Sequence, residues 1–261
     1  MDDLTVCLVQ SDIVSDNPAA NLQQLQASLA AAAPFNLAVL PEVFTTGFHP
    51  KARQHAEEMS GKACGWLQQQ AQQYGAAITG SVVMKTPAGF YNRMLWANGD
   101  GALSHYDKRH LFRMAGEHER YLMGQRRVIM PYRGWRFLLQ VCYDLRFPVF
   151  SRNRGDYDAI VYVANWPEAR HAHWCSLLKA RAIENLSYVI GVNRTGEDTY
   201  GQAYAGGSVI FAPDGELLRD AGRNATCVNG VLSAARLHEY RQSFPAHLDA
   251  DRFSLQDSSD N

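Results

Sequence analysis

Nowhere along the 261 residues does an apolar run approach the roughly 18 residues of a membrane-spanning helix, so no membrane partner is expected. The N-terminus offers acids at Asp2 and Asp3 and then enters a strand-like Leu4 to Val9, without the basic flank of a signal peptide. No block of like charge interrupts the balance of 25 Lys and Arg against 26 Asp and Glu, which argues against nucleic acid as a partner. Cysteine is scarce as well. The five (Cys7, Cys64, Cys142, Cys175, Cys227) are odd in number, widely spaced and lack a C-x-x-C pair, in a chain too large to need covalent staples. That usage suits a reducing compartment, and a cytoplasmic protein is expected. H-E-x-x-H is missing, and His171 and His173, two apart, do not share a helix face, so no metal site is expected.

What is present is apolar residue enough, 46%, for one large core, and Gly and Pro fall singly instead of pooling into a linker. The expectation is one domain over 1–261, ending in a polar tail from about 249 to 261. Asn17 and Pro18 supply a cap and a first helical residue for a helix carrying Leu22, Leu25 and Leu29, which stops at Pro34. A short apolar strand, Leu37 to Leu40, is closed by Pro41. Further on, a helix is expected over Ala63 to Tyr74 and a strand over Ala76 to Met84. Strands Tyr91 to Ala97 and Ala102 to Tyr106 flank a hairpin turn at Asn98-Gly99-Asp100-Gly101. Strands at Arg136 to Val141 and Asp158 to Ala164 precede a helix His171 to Leu186. Strands at Ser187 to Val192, Ala205 to Phe211 and Thr226 to Leu232 follow. This alternation of strands and helices is that of an α/β protein.

Glu42, Lys108 and Cys142 each stand just past the end of an expected strand, the edge where layered α/β proteins assemble sites. Taken alone, Cys142 reads as a small core residue and the two charges as solvated surface. His105, His110 and His118 lie near Lys108 in sequence and leave a cysteine–histidine hydrolase open as a rival.

Three segments decide between these readings: Leu40-Pro41-Glu42-Val43-Phe44, Tyr106-Asp107-Lys108-Arg109-His110-Leu111-Phe112 and Cys142-Tyr143-Asp144-Leu145-Arg146-Phe147-Pro148. They resemble, in order, the signature blocks of the nitrilase (carbon-nitrogen hydrolase) superfamily. Ala180-Arg181-Ala182-Ile183-Glu184-Asn185 and Gly207-Ser208-Val209-Ile210 resemble further blocks. The resemblance implies a four-layer α-β-β-α sandwich that dimerises through one helical layer. It implies Cys142 as nucleophile, Glu42 as general base, and Lys108 with the Tyr143 backbone N–H as oxyanion donors. Such chemistry needs no cofactor: a carboxylate takes the thiol proton, and an ammonium meets the negative charge that develops on the carbonyl oxygen. The family also carries a second glutamate between lysine and cysteine. Glu117, seven positions before Gly124, fits that spacing better than Glu119.

Asn165-Trp166-Pro167 with Arg170 and His173-Trp174 is most similar to the omega-amidase branch. The substrates so implied are small 2-oxo dicarboxylic acid monoamides, 2-oxoglutaramate and 2-oxosuccinamate. Arg170 is the candidate for the substrate carboxylate, and Trp166 and Phe48 are candidates for the pocket wall. Alternatives are an N-carbamoyl amidohydrolase, a general aliphatic amidase, or a non-catalytic interaction protein on this scaffold. Cys175, on the helix near the site, is a candidate for oxidation.

Overall fold

The chain begins as its local chemistry dictates. In the computed structural model, which describes residues 1–255, the Asn17 side chain accepts a hydrogen bond from the Ala20 N–H, and Pro18 opens the first helix. Residues 256–261, the far part of the expected tail, lie outside the described residues.

The elements run β1 (Leu4–Gln10), α1 (Pro18–Ala32), β2 (Leu37–Val39), α2 (Lys62–Tyr74), β3 (Ala77–Thr86), β4 (Gly89–Ala97) and β5 (Leu103–Asp107). Next come β6 (Ile129–Tyr132), β7 (Trp135–Val141), α3 (Pro148–Ser151), β8 (Ala159–Ala164), α4 (His171–Asn185) and β9 (Tyr188–Asn193). The chain closes with β10 (Thr195–Glu197), β11 (Ala203–Ala205), β12 (Val209–Phe211), β13 (Leu217–Asp220), β14 (Thr226–Leu232) and α5 (Ala234–Ser243).

Two sheets result, in the orders β14-β1-β2-β3-β4-β5 and β13-β12-β9-β8-β7-β6. Each has three parallel strands at its centre, β1-β2-β3 in one and β7-β8-β9 in the other, flanked by antiparallel strands. The parallel steps require crossovers, which α1, α2, α3 and α4 supply.

Strand alternation then sorts the side chains into layers. Leu8, Val39 and Trp96 meet Phe137, Leu139, Val161 and Ile190 between the sheets. On the outer face of the first sheet, Leu25 and Leu29 of α1 and Leu67 and Ala71 of α2 cover Val9, Ala38 and Ile78. On the outer face of the second, Trp174, Leu178 and Ala182 of α4 cover Leu138, Ile160, Tyr162 and Val189. Each such fully buried Leu, Val, Ile or Phe stabilises the fold by about 1.5–3 kcal/mol relative to exposure. The architecture is the α-β-β-α sandwich expected from the resemblance. Among the described residues, no helix is long and apolar enough to cross a membrane.

One expected strand is wrong in a way that matters. Ala205 to Phe211 is not continuous, because Gly206 and Gly207 adopt φ of 65° and 74° and divide it into β11 and β12. A Cβ at Gly206 would meet the Gln10 amide at 2.5 Å, and one at Gly207 would meet the His171 ring at 2.4 Å, so both positions need glycine. β11 leaves the sheet and pairs with β10 as a ribbon that reaches the site. The hairpin turn is as expected, with Asn98 N–H donating to Ala102 O at 2.9 Å and Gly101 at φ 85°.

Candidate active site

The ends of β2, β5 and β7 converge, and each delivers one polar side chain into the apolar edge between the sheets. After β2, Val43 takes a left-handed conformation (φ 43°), costly for a β-branched residue, and is held there by its N–H donating to Ser81 Oγ at 2.9 Å. That turn directs Glu42 inward. Glu42 Oε1 accepts from Asn92 Nδ2 at 2.8 Å and from Lys108 Nζ at 3.1 Å, while Oε2 accepts from the Asn165 N–H at 2.7 Å. Asn165 Nδ2 donates back to the Glu42 carbonyl.

Lys108 follows β5, and its own N–H continues the ladder to Asn92 O at 3.0 Å. Its Nζ lies 3.0 Å from each oxygen of Glu117, whose Oε2 also accepts from the Phe112 N–H at 2.6 Å. Glu42, Lys108 and Glu117 are all buried. Burial opposes the charge on Lys108, but the carboxylates of Glu117 and Glu42 outweigh it and hold the ammonium well above its ordinary range. Burial pushes Glu117 upward and Lys108 pulls it back. With an ammonium and a backbone N–H donating to it, the group is assigned as a carboxylate.

Cys142 follows β7 at φ 46°, a left-handed corner that turns the chain sharply into a short helical turn, Cys142–Arg146. At the start of that turn the Tyr143 N–H has no carbonyl to reach within it and is left available to a ligand. Burial, followed by the neighbouring Glu42 carboxylate, pushes the thiol well above its ordinary value, so the sulfur keeps its proton at neutral pH.

These groups open onto a cavity of about 350 Å³, room for a small substrate. Glu42, Lys108, Cys142, Tyr143, Phe48, Trp166 and Arg170, all named from sequence, line it, with Glu117 behind Lys108. Phe48 lies 5.1 Å from Lys108 Nζ, and the Arg170 guanidinium sits over the Phe112 ring at 5.6 Å. Trp166 Nε1 donates to the Arg170 carbonyl at 2.8 Å and so fixes the backbone that presents this cation. Glu119 points outward, its side chain 73% exposed.

The cysteine–histidine alternative fails on position. His110 Nδ1 is bound to Asp144 at 2.7 Å, His118 faces Glu119, and His105 is exposed, so the thiol's neighbour is a carboxylate. Cys175, half-buried, pairs with His171 at 3.4 Å on α4 and does not line the cavity. Among the described residues, no group of three His, Cys, Asp or Glu side chains is arranged to hold a metal ion.

Sequence reasoning missed several wall and support residues. Asn92 shows only as a polar residue inside a strand, and its meaning depends on the register that faces it to Glu42. Arg146, inside the cysteine block, stacks over Trp166 at 4.8 Å and, with Arg120, adds positive charge to the wall beside Lys108 and Arg170. Gln202 and Tyr204 reach the cavity from the β10–β11 ribbon, a segment to which the sequence reading assigned no element before Ala205.

Residues 5–242 match the carbon-nitrogen hydrolase family. The chain is 46% identical to an omega-amidase of Escherichia coli K12, over 98% of this chain and 100% of that one. It is 32% identical to a 2-oxoglutaramate amidase of Bacillus subtilis, over 94% and 96% of the two chains. A carbon-nitrogen hydrolase superfamily protein of Xanthomonas campestris, crystallised with an arsenic adduct in its active site, superposes with a TM-score of 0.97. That protein is 47% identical to this chain, the match covering 98% of this chain and 100% of the other. The chain belongs to the carbon-nitrogen hydrolase family and is a hydrolase of carbon–nitrogen bonds, most similar to its omega-amidase members.

Proposed function

We propose that the enzyme hydrolyses the terminal amide of small 2-oxo dicarboxylic acid monoamides, 2-oxoglutaramate and 2-oxosuccinamate, through a thioester on Cys142. The observation that carries the reading is the convergence of Glu42, Cys142 and a Lys108 ammonium bonded to Glu42 at 3.1 Å, in a cavity that Arg146 and Arg170 also line.

The thiol is a poor nucleophile while protonated, so Glu42 removes its proton as sulfur attacks the amide carbonyl. Negative charge then grows on the carbonyl oxygen, where Lys108 and the Tyr143 N–H stabilise it in a site held ready before the reaction. Glu42 returns the proton to the departing nitrogen, ammonia leaves, and an acyl-sulfur bond remains. Water attacks this thioester with Glu42 again taking a proton, and the carboxylate product and free thiol are restored. Glu117 keeps Lys108 charged and aimed throughout. The arsenic adduct in the active site of the Xanthomonas relative supports a thiol-based reading, because arsenic bonds readily to thiols.

The acidic end of the substrate calls for a cation. In this reading Arg170 pairs with that carboxylate, supported by its position in the cavity wall beside the Trp166 hydrogen bond and by Arg146 in the same wall. The names of the Escherichia and Bacillus relatives support this substrate class. The test is ammonia release from 2-oxoglutaramate and 2-oxosuccinamate set against propionamide and an N-carbamoyl amino acid, with Cys142→Ala as blank. Hydroxylamine added during turnover traps the acyl-sulfur bond as a hydroxamate. Carbon dioxide release from the carbamoyl compound at the highest kcat/KM, or full activity in the alanine variant, overturns the reading.

A further inference from the structure

Asp144 is wholly buried two residues beyond Cys142, and its carboxylate accepts four hydrogen bonds. Oδ2 accepts from Tyr106 Oη at 2.8 Å and from the Val141 N–H at 2.9 Å. Oδ1 accepts from the His110 N–H at 2.9 Å and from His110 Nδ1 at 2.7 Å, which places the imidazole proton on Nδ1.

The donors are not scattered. Tyr106 and His110 stand two residues before and two residues after Lys108, and Val141 is the residue before Cys142. One carboxylate thus grips the lysine segment on both sides while holding the peptide from which the nucleophile springs. Its partners are themselves held. Tyr106 Oη accepts from the Arg109 N–H at 3.1 Å, and the His110 ring stacks on Phe147 at 4.0 Å. The far end of the Cys142–Arg146 turn is pinned by buried Arg181, which donates to the Leu145 carbonyl at 2.7 Å. A cysteine at φ 46° persists only where its surroundings over-determine it, and these bonds are what surrounds it.

The geometry points to Asp144 as a positioning residue that sets the separation and orientation of Cys142 Sγ and Lys108 Nζ. It does not line the cavity, and it acts on the reaction through Tyr106, His110 and Val141. The inference rests on the thioester reading above and extends it. Because both reacting groups are carried on segments tied to one carboxylate, loosening it should misplace them by about 1 Å. Misplacement of about 1 Å costs roughly 10²-fold in rate.

The experiment is Asp144→Asn, which keeps the shape but turns one acceptor into a donor facing donors. The expected result is a kcat lower by about 10²-fold with KM within about threefold, since the substrate wall is untouched. Alkylation of Cys142 by iodoacetamide, which needs no substrate site, should slow in parallel. Leu25→Val, in the distant helix α1, serves as a control of comparable thermal destabilisation and should keep its kcat. Tyr106→Phe, which removes one of the four bonds, should lose kcat by a smaller factor with KM unchanged, and it decides the matter if the Asn variant does not fold. Wild-type kcat in either folded variant, or a loss confined to KM, overturns the inference while leaving the thioester reading intact. Activity in Cys142→Ala would instead remove the reading on which it rests.

Discussion

The Nζ of Lys108 is equidistant from the two oxygens of Glu117, at 3.0 Å each, while Glu42 reaches the same ammonium with one oxygen at 3.1 Å. The two buried carboxylates therefore have different duties. Glu117 is committed to the lysine through both edges and to the Phe112 N–H, whereas Glu42 shares one oxygen and adjoins the thiol.

Glu117→Gln should therefore lower kcat far more than it raises KM. The amide keeps the shape but removes the charge that offsets burial of Lys108, and a loss of about 10²-fold is expected, the scale of removing one oxyanion donor. Glu119→Gln, on an exposed side chain, should stay within about twofold. Single-turnover acylation of both variants is the measurement, and a crippled Glu119 variant would reverse the assignment.

Cys142 should show no thiolate in the resting enzyme at neutral pH. Burial and Glu42 both raise its pKa, so the absorbance difference at 240 nm between wild type and Cys142→Ala should stay flat from pH 6 through about 8.5, the ordinary thiol value. The stability consequence has a definite sign. A group held above its unfolded pKa contributes stability that is present below about pH 8.5 and lost as pH rises through the folded value. Urea denaturation should thus find wild type losing stability more steeply than Cys142→Ala above about pH 9. A thiolate plateau at pH 7 would mean that the nucleophile is preionised and that Glu42 is not its base.

Much of this was legible in the sequence where the cause is local. Asn17 and Pro18 start a helix by capping chemistry, and Pro41 and the residues beyond it put Glu42 past a strand end, with no help from the rest of the chain. The catalytic grouping of Glu42, Lys108 and Cys142 was legible only through resemblance, since their contacts depend on how two sheets face each other. Asn92 was illegible for the same reason: a strand's register, not its composition, turns that side chain to Glu42. The β11–β12 break stands in the sequence as the pair Gly206-Gly207, a turn signal the continuous-strand reading passes over, although the neighbours that demand glycine there, Gln10 and His171, are distant. Helix α5 buries only Leu237 among its ten residues, too weak a stripe to read as periodicity.

Arg170→Ala should discriminate between substrates. Loss of a cation opposite a carboxylate should lower kcat/KM for 2-oxoglutaramate by about 10²-fold, against less than about threefold for propionamide. Arg170→Lys should recover only part, because an ammonium lacks the planar fork. Equal losses on both amides would mark Arg170 as support for the wall alone.

Gly124 lies outside the cavity lining, yet alanine there should damage activity. A Cβ at this position would stand 2.0 Å from the Asp107 carbonyl oxygen and 2.7 Å from its carbon, backbone atoms that cannot rotate away. The Gly124 N–H also donates to the Lys108 carbonyl at 2.9 Å, so the two segments are bonded where the clash would fall. Asp107 cannot yield cheaply, because its carboxylate is gripped by Arg93 at 2.6 and 2.8 Å and its backbone is registered against the same residue of β4. Either Gly124 moves away and the bond to Lys108 breaks, or the end of β5 moves and carries Lys108 with it. Gly124→Ala should cost roughly 1–3 kcal/mol of stability, the range for overpacking. Beyond that, kcat should fall at temperatures where the variant is fully folded, as Lys108 loses its place between Glu42 and Glu117. A variant with wild-type kcat and unchanged melting temperature would mean that this close approach does not set the lysine's position.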